Sequence, residues 1–501
     1  MINALDLDTM PEVTARSVIY IDKLKKDNRV FLEYLRKNVN FANDYDVLIA
    51  LAEHNPDFVY SSYFRDRRRK IIESYVNVFK SGEVIQNADN LTIVGSPYAM
   101  LLHAVGEDIE KDETFNVEEN AIQCWCEKFR DKEFLASFRS PFNSRNNLDF
   151  LHNHYHPYFD RYFKFGRLCI AVNMIHTCMQ ERSNGSDQDS DQFYTTNQPD
   201  IVEHARKCYK EYPTIVNLIP KEKNKYNNVP KDFATVDNIL ASSQLSIGES
   251  SNLAQIALTY TYNFDDIKYQ DAVCILATVA QIAIDSAKKK FELDIPNEIR
   301  YIKSQLDINQ NGLPLFWKVV KKDTRKNRSI EQMKKRKKEN RERLEKKINS
   351  NLRCPMNYMS ELKLNKYKSG IATIPIEQFL KPCENKETRR RSEKIEKLIE
   401  KYAIDLNEFE ITQKNQYDMW FSDRCILLMN NFDELVKDIR RTGITKNYSG
   451  LMYWLINRAF RIPEQTKNSK TKLDINKPIL LKTLYEVNPQ AFLDCFVQQI
   501  N

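Results

Sequence analysis

Asp187, Asp189 and Asp191 stand at alternate positions in the stretch NGSDQDSDQFYTTN (184–197), and their carboxylates are the side chains of this sequence best suited to hold a metal ion. Like charges that close repel unless solvent or a cation offsets them. Two readings follow: a solvated polar loop, or an oxygen-donor site. The run begins as a calcium loop does, D-x-D-x-D, but a calcium loop needs glycine at its sixth position and a bidentate glutamate at its twelfth. Here those positions are Gln192 and Gln198, which removes both the turn and the closing ligand. A harder, smaller ion suits what is left: Mg2+, with Mn2+ as a substitute. On an extended strand the three carboxylates would spread over roughly 13 Å, too far for one ion. The segment therefore has to curl, and the Asn184-Gly185 pair supplies the turn. An ion held in this way can bridge a nucleotide's phosphates and an attacking hydroxyl, the logic of phosphoryl and nucleotidyl transfer.

The flanks predict how the cluster is held. RLCIAVNMIHTCMQ upstream and QFYTT downstream read as strands, which sets the acids in a loop of a sheet. Residues 1–75 read as a helical N-terminal region, with Val30, Leu32, Leu35, Leu48 and Leu51 at amphipathic spacing. In 76–215, short apolar runs alternate with turn residues and predict a β-rich domain that contains the acids. Residues 216–300 read as helical again: PKEKNKYNNVPKDF (220–233) crosses between domains, and DAVCILATVAQIAIDSAKKKF is a long, buried helix. The remainder, 301–501, is predicted to be basic and mostly helical, with one extended piece at GIATIPIEQF. The fold class expected is α+β.

Composition narrows the function by exclusion. A chain of 501 residues that is 42% hydrophobic and 29% charged can bury a core and should divide into several domains. The start, MINALDLDTMPEV, has no basic-then-apolar signal region, and no unbroken apolar stretch approaches the roughly 18 residues of a membrane span. The expectation is a cytoplasmic protein without a membrane partner. The ten cysteines are scattered, and Cys124 and Cys126 in CWC lack zinc-knuckle spacing, so they read as reduced thiols. The net charge of +7 is concentrated in 318–347, a basic helix or helix pair in which Glu339, Glu342 and Glu345 recur at helical spacing. Both a solvated face and a phosphate-contacting face fit that pattern. His152, His154 and His156 in HNHYH alternate and could share one strand face, for zinc or as a polar surface. No phosphate-cradling P-loop and no nucleophile-histidine-acid arrangement is visible.

GSDQDSDQFYTTN resembles the catalytic loop of the two-barrel RNA polymerases, above all the cellular RNA-dependent RNA polymerases and their bacterial and phage relatives, where a G-S-D-x-D-G-D segment leads into a strand. Two further segments fall in that family's order. FRSPFNSRNNLDFL (138–151) is similar to its Arg-x-Pro segment, and ILASSQLSIGESSNLAQIALTY with ILATVAQIAIDSAKKKF resembles its helix pair and bridge-like helix, with an Asp-x-x-Lys spacing at Asp285 and Lys288. The likeness covers roughly 80–295. It implies a double-psi β-barrel catalytic domain between helical N- and C-terminal regions, with Asp187, Asp189 and Asp191 as catalytic metal ligands. It places Arg139 near the sugar or phosphates of an incoming NTP, with a structural ion pair as the alternative, and Lys288 near a backbone phosphate, with a surface lysine as the alternative. The substrates implied are NTPs on an RNA or DNA template, and a second barrel bearing lysines would come from a partner chain or another segment. Ser190 stands where that family has glycine. The rival readings are a non-catalytic nucleic-acid-binding or structural subunit that retains the barrel, and a carboxylate-metal nuclease.

Overall fold

The structure, a computed structural model, describes residues 2–221, 227–286, 290–320, 342, 344–364, 372–381, 392–402, 421–441, 448–461 and 477–499. Lys288 and most of the basic run 318–347 lie outside the described residues. Four helices come first: α1 (Met10–Lys26), α2 (Asn28–Lys37), α3 (Tyr45–His54) and α4 (Ser62–Lys80). The start of α2 shows how local chemistry sets a boundary, because the Asp27 carboxylate accepts the Arg29 and Val30 N–H groups while Arg36 and Lys37 close the other end.

The chain forms two compact units. One comprises the described residues of Met1–Val18, Asn77–Asp323 and Arg328–Lys363, the other those of Ile19–Val76 and Leu364–Asn501. The second unit is helical. Its core joins Phe31, Leu35, Leu48 and Phe58 to Ile439, Leu455, Leu484 and Phe492, and the described part of GIATIPIEQF, residues 372–379, lies here with a single bridge between Ser61 and Ile374 followed by a 3-10 turn (Ile376–Phe379), not as a strand.

The first unit holds a closed six-stranded barrel: β1 (Ala88–Val94), β2 (Ile122–Trp125), β3 (Phe134–Arg139), β4 (Asp149–Asn153), β5 (Cys169–Val172) and β6 (Gln192–Thr196), in the order β1-β5-β2-β4-β3-β6. The β1/β5 and β2/β4 pairs are parallel and the other four antiparallel. With helices around it the architecture is α+β. Closure leaves no open edge, and the strands point Leu91, Ile93, Ile122, Cys124, Leu135, Leu151, Ile170, Val172 and Phe193 into one core. Burial pushes the Cys124 thiol well above its ordinary range, consistent with an inert core thiol. RLCIAVNMIHTCMQ yields a shorter strand than its β-branched content predicts. The strand stops at Val172 because the Asn173 side chain accepts the Ile175 N–H (3.0 Å) and its carbonyl accepts the Thr177 hydroxyl (2.8 Å), which folds the chain into a turn.

Around the barrel lie α5 (Pro97–Ala104), the short α6 (Met179–Arg182) and α7 (Pro199–Glu211), the last against β3 and β4 through Ile201, His204, Ala205 and Cys208, one face of a 3.6-residue period. The long α8 (Pro230–Thr261) and α9 (Ile267–Asp285) pack against each other. By length and composition α9 is apolar enough to cross a membrane, but here Tyr269, Val273, Leu276, Ala280 and Ala283 are buried within the unit.

His204 is the buried ionisable group of α7. Its Nε2 lies 2.8 Å from the Ala4 carbonyl oxygen and 3.3 Å from the Cys208 sulfur, and its Nδ1 lies 3.2 Å from the Asp6 carboxylate. Burial disfavours the imidazolium, but the Asp6 and Cys208 contacts outweigh it and push the pKa up to about 9 from 6.5. A pKa raised by folding stabilises the fold fully below pH 6.5, and that contribution disappears as pH rises through about 9. The thermal midpoint should therefore fall across this window, and His204→Gln should lack that fall. An identical pH profile in the variant would show that His204 is not the titrating group.

Candidate metal centre

The segment between α6 and β6 turns back on itself at three left-handed residues, Asn184 (φ 57°), Gly185 (φ 64°) and Ser190 (φ 97°). Asparagine and glycine enter this region readily, while a serine there is strained. The curl gathers the acids: one carboxylate oxygen each from Asp187, Asp189 and Asp191 lie within 4.8 Å of one another, in place of the much longer spread of an extended strand. Among the described residues this is the group of carboxylates, imidazoles or thiols close enough together for one ion. Glycine at position 190 relieves the strain, although it also frees the unfolded chain. Ser190→Gly should therefore raise stability by about 1 kcal/mol, read as a higher urea midpoint; a lower midpoint would mean that the serine side chain holds the loop.

The curl is braced from the barrel. The register of β3 with β6 sets Arg139 opposite Phe193, so the last residue of β3 reaches the start of β6. There its Nε lies 2.8 Å from Asp191 Oδ2 and its Nη2 donates to Oδ1 at 2.9 Å, a two-pronged fork on a carboxylate that is only 16% exposed. Arg139 Nη1 also donates to the Asn184 carbonyl (3.2 Å), and the Asn184 amide donates to the Pro141 carbonyl (2.7 Å). The Asp187 N–H donates to Asp191 Oδ2 (2.9 Å), and the Ile93 N–H on β1 to the Asp191 carbonyl (3.0 Å). One aspartate thus ties the loop to three strands.

Two glycines allow close approach from outside the loop. A Cβ on Gly185 would run into the Gln281 amide of α9, and a Cβ on Gly95, just after β1, into the Gln188 amide of the loop itself. The expected helix therefore passes the acids with Gln281, one turn before Asp285. A deeper layer fixes the stem. Ser183 donates to Asp149 Oδ2 (2.8 Å), and Arg182 donates through Nε to the Leu148 carbonyl (2.8 Å), through Nη1 to the Tyr212 carbonyl (3.0 Å) and through Nη2 to the Cys208 carbonyl (3.3 Å). Its guanidinium lies 4.7 Å from the Tyr209 ring centroid. Asp149 is fully buried, with Oδ1 4.0 Å from Arg182 Nε. Burial pushes its pKa up to about 7, against the pull of Arg182 and the Ser183 hydroxyl.

The structure thus brings Asp187, Asp189, Asp191 and Arg139 together, with Arg139 in an ion pair with Asp191; Lys288 lies outside the described residues. Gln188, Gln281, Gly95, Asp149 and Arg182 escape sequence reasoning, because each is an unremarkable type whose role comes from a partner far along the chain. The alternating histidines do not converge: His152 Nδ1 sits 2.8 Å from the Glu118 carboxylate with its ring on Phe134, and His156 accepts the Tyr158 N–H (3.3 Å).

The donor set fits a hard divalent cation. All ligands are oxygens, and three carboxylates with one guanidinium leave two formal negative charges, which a single Mg2+ or Mn2+ neutralises. The buried Ser186 hydroxyl, next to Asp187, has no hydrogen-bond partner.

No family model matches the sequence, and no curated protein matches it. Among solved structures the chain is similar to an RNA dependent RNA polymerase, QDE-1 from Thielavia terrestris, at 12% identity and a TM-score of 0.47, over 98% of this chain and 55% of that one. The chain spans about half the length of that polymerase.

Proposed function

We propose that this chain carries the catalytic barrel of a two-barrel RNA polymerase, a metal-dependent nucleotidyltransferase that joins NTPs on a nucleic-acid template. The observation that carries the reading is the gathering of Asp187, Asp189 and Asp191 within 4.8 Å in a loop beside β1, β3 and β6, with Arg139 fixing Asp191. Three segments of the sequence, in the order FRSPF, GSDQDSD and the α8–α9 helices, support it. The two parallel pairs interleaved with four antiparallel ones support the double-psi reading of the barrel.

In this reading the three aspartates hold Mg2+ or Mn2+, which when bound offsets phosphate charge and lowers the pKa of the attacking hydroxyl. The residues of the chain do the rest. Asp191 is clamped by Arg139, so its orientation does not relax when a substrate binds. Asp189, the most exposed of the three, faces solvent and the approach of a triphosphate. Arg139 acts as a positioning residue through Asp191, and Gln281 of α9 supports the turn at Gly185. Lys288 is assigned to a backbone phosphate, and a partner chain or segment supplies the second barrel and its lysines. The test is incorporation of labelled NTPs on single-stranded RNA and single-stranded DNA, with Mg2+ or Mn2+. Template-dependent product on one of them names the template, whereas degradation of the template would replace the polymerase reading with a nuclease. Metal binding without any product, even when a lysine-bearing partner is added, would favour a structural subunit that retains the barrel.

A further inference from the structure

The connection from β4 to β5, YHPYFDRYFKFGRL (155–168), builds a surface that the metal centre does not use. Its core is three tyrosines. The Tyr98 ring lies 4.8 Å from that of Tyr158 and 5.8 Å from that of Tyr162, with Tyr158 and Tyr162 5.4 Å apart. Residues Phe159–Phe163 form a π-helical turn that ends at Lys164 in the left-handed region (φ 51°). Such turns are rare and concentrate at functional positions. This one buries Phe159 and turns Tyr162 outward, 44% exposed.

Cations alternate with these rings. Arg161, Lys164 and Arg167 are all exposed, and none has an ion-pair partner among the described residues. Arg161 lies 5.1 Å from the Tyr162 ring centroid. Of the acids beside the rings, Asp160 accepts the Tyr155 hydroxyl (2.6 Å) and Asp112 the Thr114 N–H (2.8 Å), while the exposed Glu113 also lies near enough to Tyr98 to act on its hydroxyl. Leu101 on α5 and Val105 at its C-cap follow Tyr98 along the chain and add exposed apolar surface, with Val105 68% exposed. Gly95, three residues before Tyr98 in the chain, lies against Gln188 of the acidic loop.

Of the three rings Tyr162 is exposed, while Tyr98 and Tyr158 are half-buried; an exposed ring attracts a base and unpaired cations attract the neighbouring phosphates, whereas a duplex keeps its base faces covered and cannot use the ring. We infer that the Tyr98–Tyr158–Tyr162 surface, with Arg161, Lys164 and Arg167, binds single-stranded nucleic acid and leads it to the acidic loop, an inference that rests on the polymerase reading for what the strand is used for. The test is fluorescence anisotropy of a labelled oligouridine with the full chain in EDTA, over a series of salt concentrations. Tyr162→Ala should bind about tenfold more weakly, with Tyr162→Phe binding as the native chain does. The triple variant Arg161→Ala/Lys164→Ala/Arg167→Ala should reduce the log–log salt slope by about 2. Unchanged binding in both surface variants overturns the inference and assigns the surface to a protein partner. Strand binding that needs Tyr162 in a chain that incorporates no NTP keeps the inference and removes only the polymerase reading.

Discussion

Asp189→Asn should lower template-dependent NTP incorporation on the order of a thousandfold, the scale of losing electrostatic stabilisation at a transferring phosphoryl group. The substitution keeps the shape of the side chain and removes its charge. Because Asp189 is exposed and the bonds made by Asn184, Asp191 and Ile93 remain in the variant, its stability in EDTA should stay within about 0.5 kcal/mol of that of the native chain. The added signature is metal linkage. In the proposed reading Mn2+ binds the folded loop and not the unfolded chain, so it should raise the midpoint of the native protein and leave that of Asp189→Asn nearly unchanged. A variant that keeps activity within a few fold, or that is stabilised by Mn2+ as the native chain is, would remove Asp189 from the site.

The second large effect concerns stability. Arg182→Met removes a buried guanidinium that serves three main-chain carbonyls and stands beside a fully buried carboxylate, and breaking such a pair should cost about 3–5 kcal/mol. Asp149 then keeps only the Ser183 hydroxyl, and its pKa should rise further above about 7. Removing both charges is a smaller perturbation than removing one. The double variant Arg182→Met/Asp149→Leu should therefore recover part of the loss, and a cycle of urea midpoints measures the coupling. The pH sign gives a separate check. Folding raises the Asp149 pKa from 3.8 to about 7, so its contribution is complete below pH 3.8 and lost as pH rises through about 7. Asp149→Asn should flatten stability over that range. A fully additive cycle, or an unaltered pH profile, would mean that the two groups do not interact.

The site was legible where chemistry is written in consecutive residues. Three aspartates at alternate positions with an Asn-Gly pair beside them announce both a candidate cation site and the need to curl, and QFYTT is the strand that follows the last of them. Arg139 could be named from the Arg-x-Pro segment, but its engagement with Asp191 depends on the register of two strands far apart in the chain, and no local pattern records register. The same holds for Gln281 over Gly185 and for Arg182 beside Asp149. Burial supplies their meaning, and burial is a property of the assembled unit. The apolar run after Arg167 misled for a local reason: Asn173 offers its side chain to the backbone two residues on, and that bond competes with the strand. The 3-10 turn at Ile376–Phe379 follows Pro375, which provides no N–H for a ladder.

The closed barrel also has a temporal side. β1 pairs with β6, the last strand of the barrel to be synthesised, and Ala88 must wait for Thr196, about a hundred residues later, before its hydrogen bonds form. Contacts of such long sequence separation make closure slow and place it late on the folding route. The acidic loop directly precedes the closing strand, and Asp191 is tied to β1 and β3 only once that strand is seated. A nascent chain that ends between Asp191 and Thr196 therefore has all three aspartates and no assembled site. With the proposed metal site, acquisition of a cation would report that the barrel has shut, and the ion would draw the last step of folding forward by mass action.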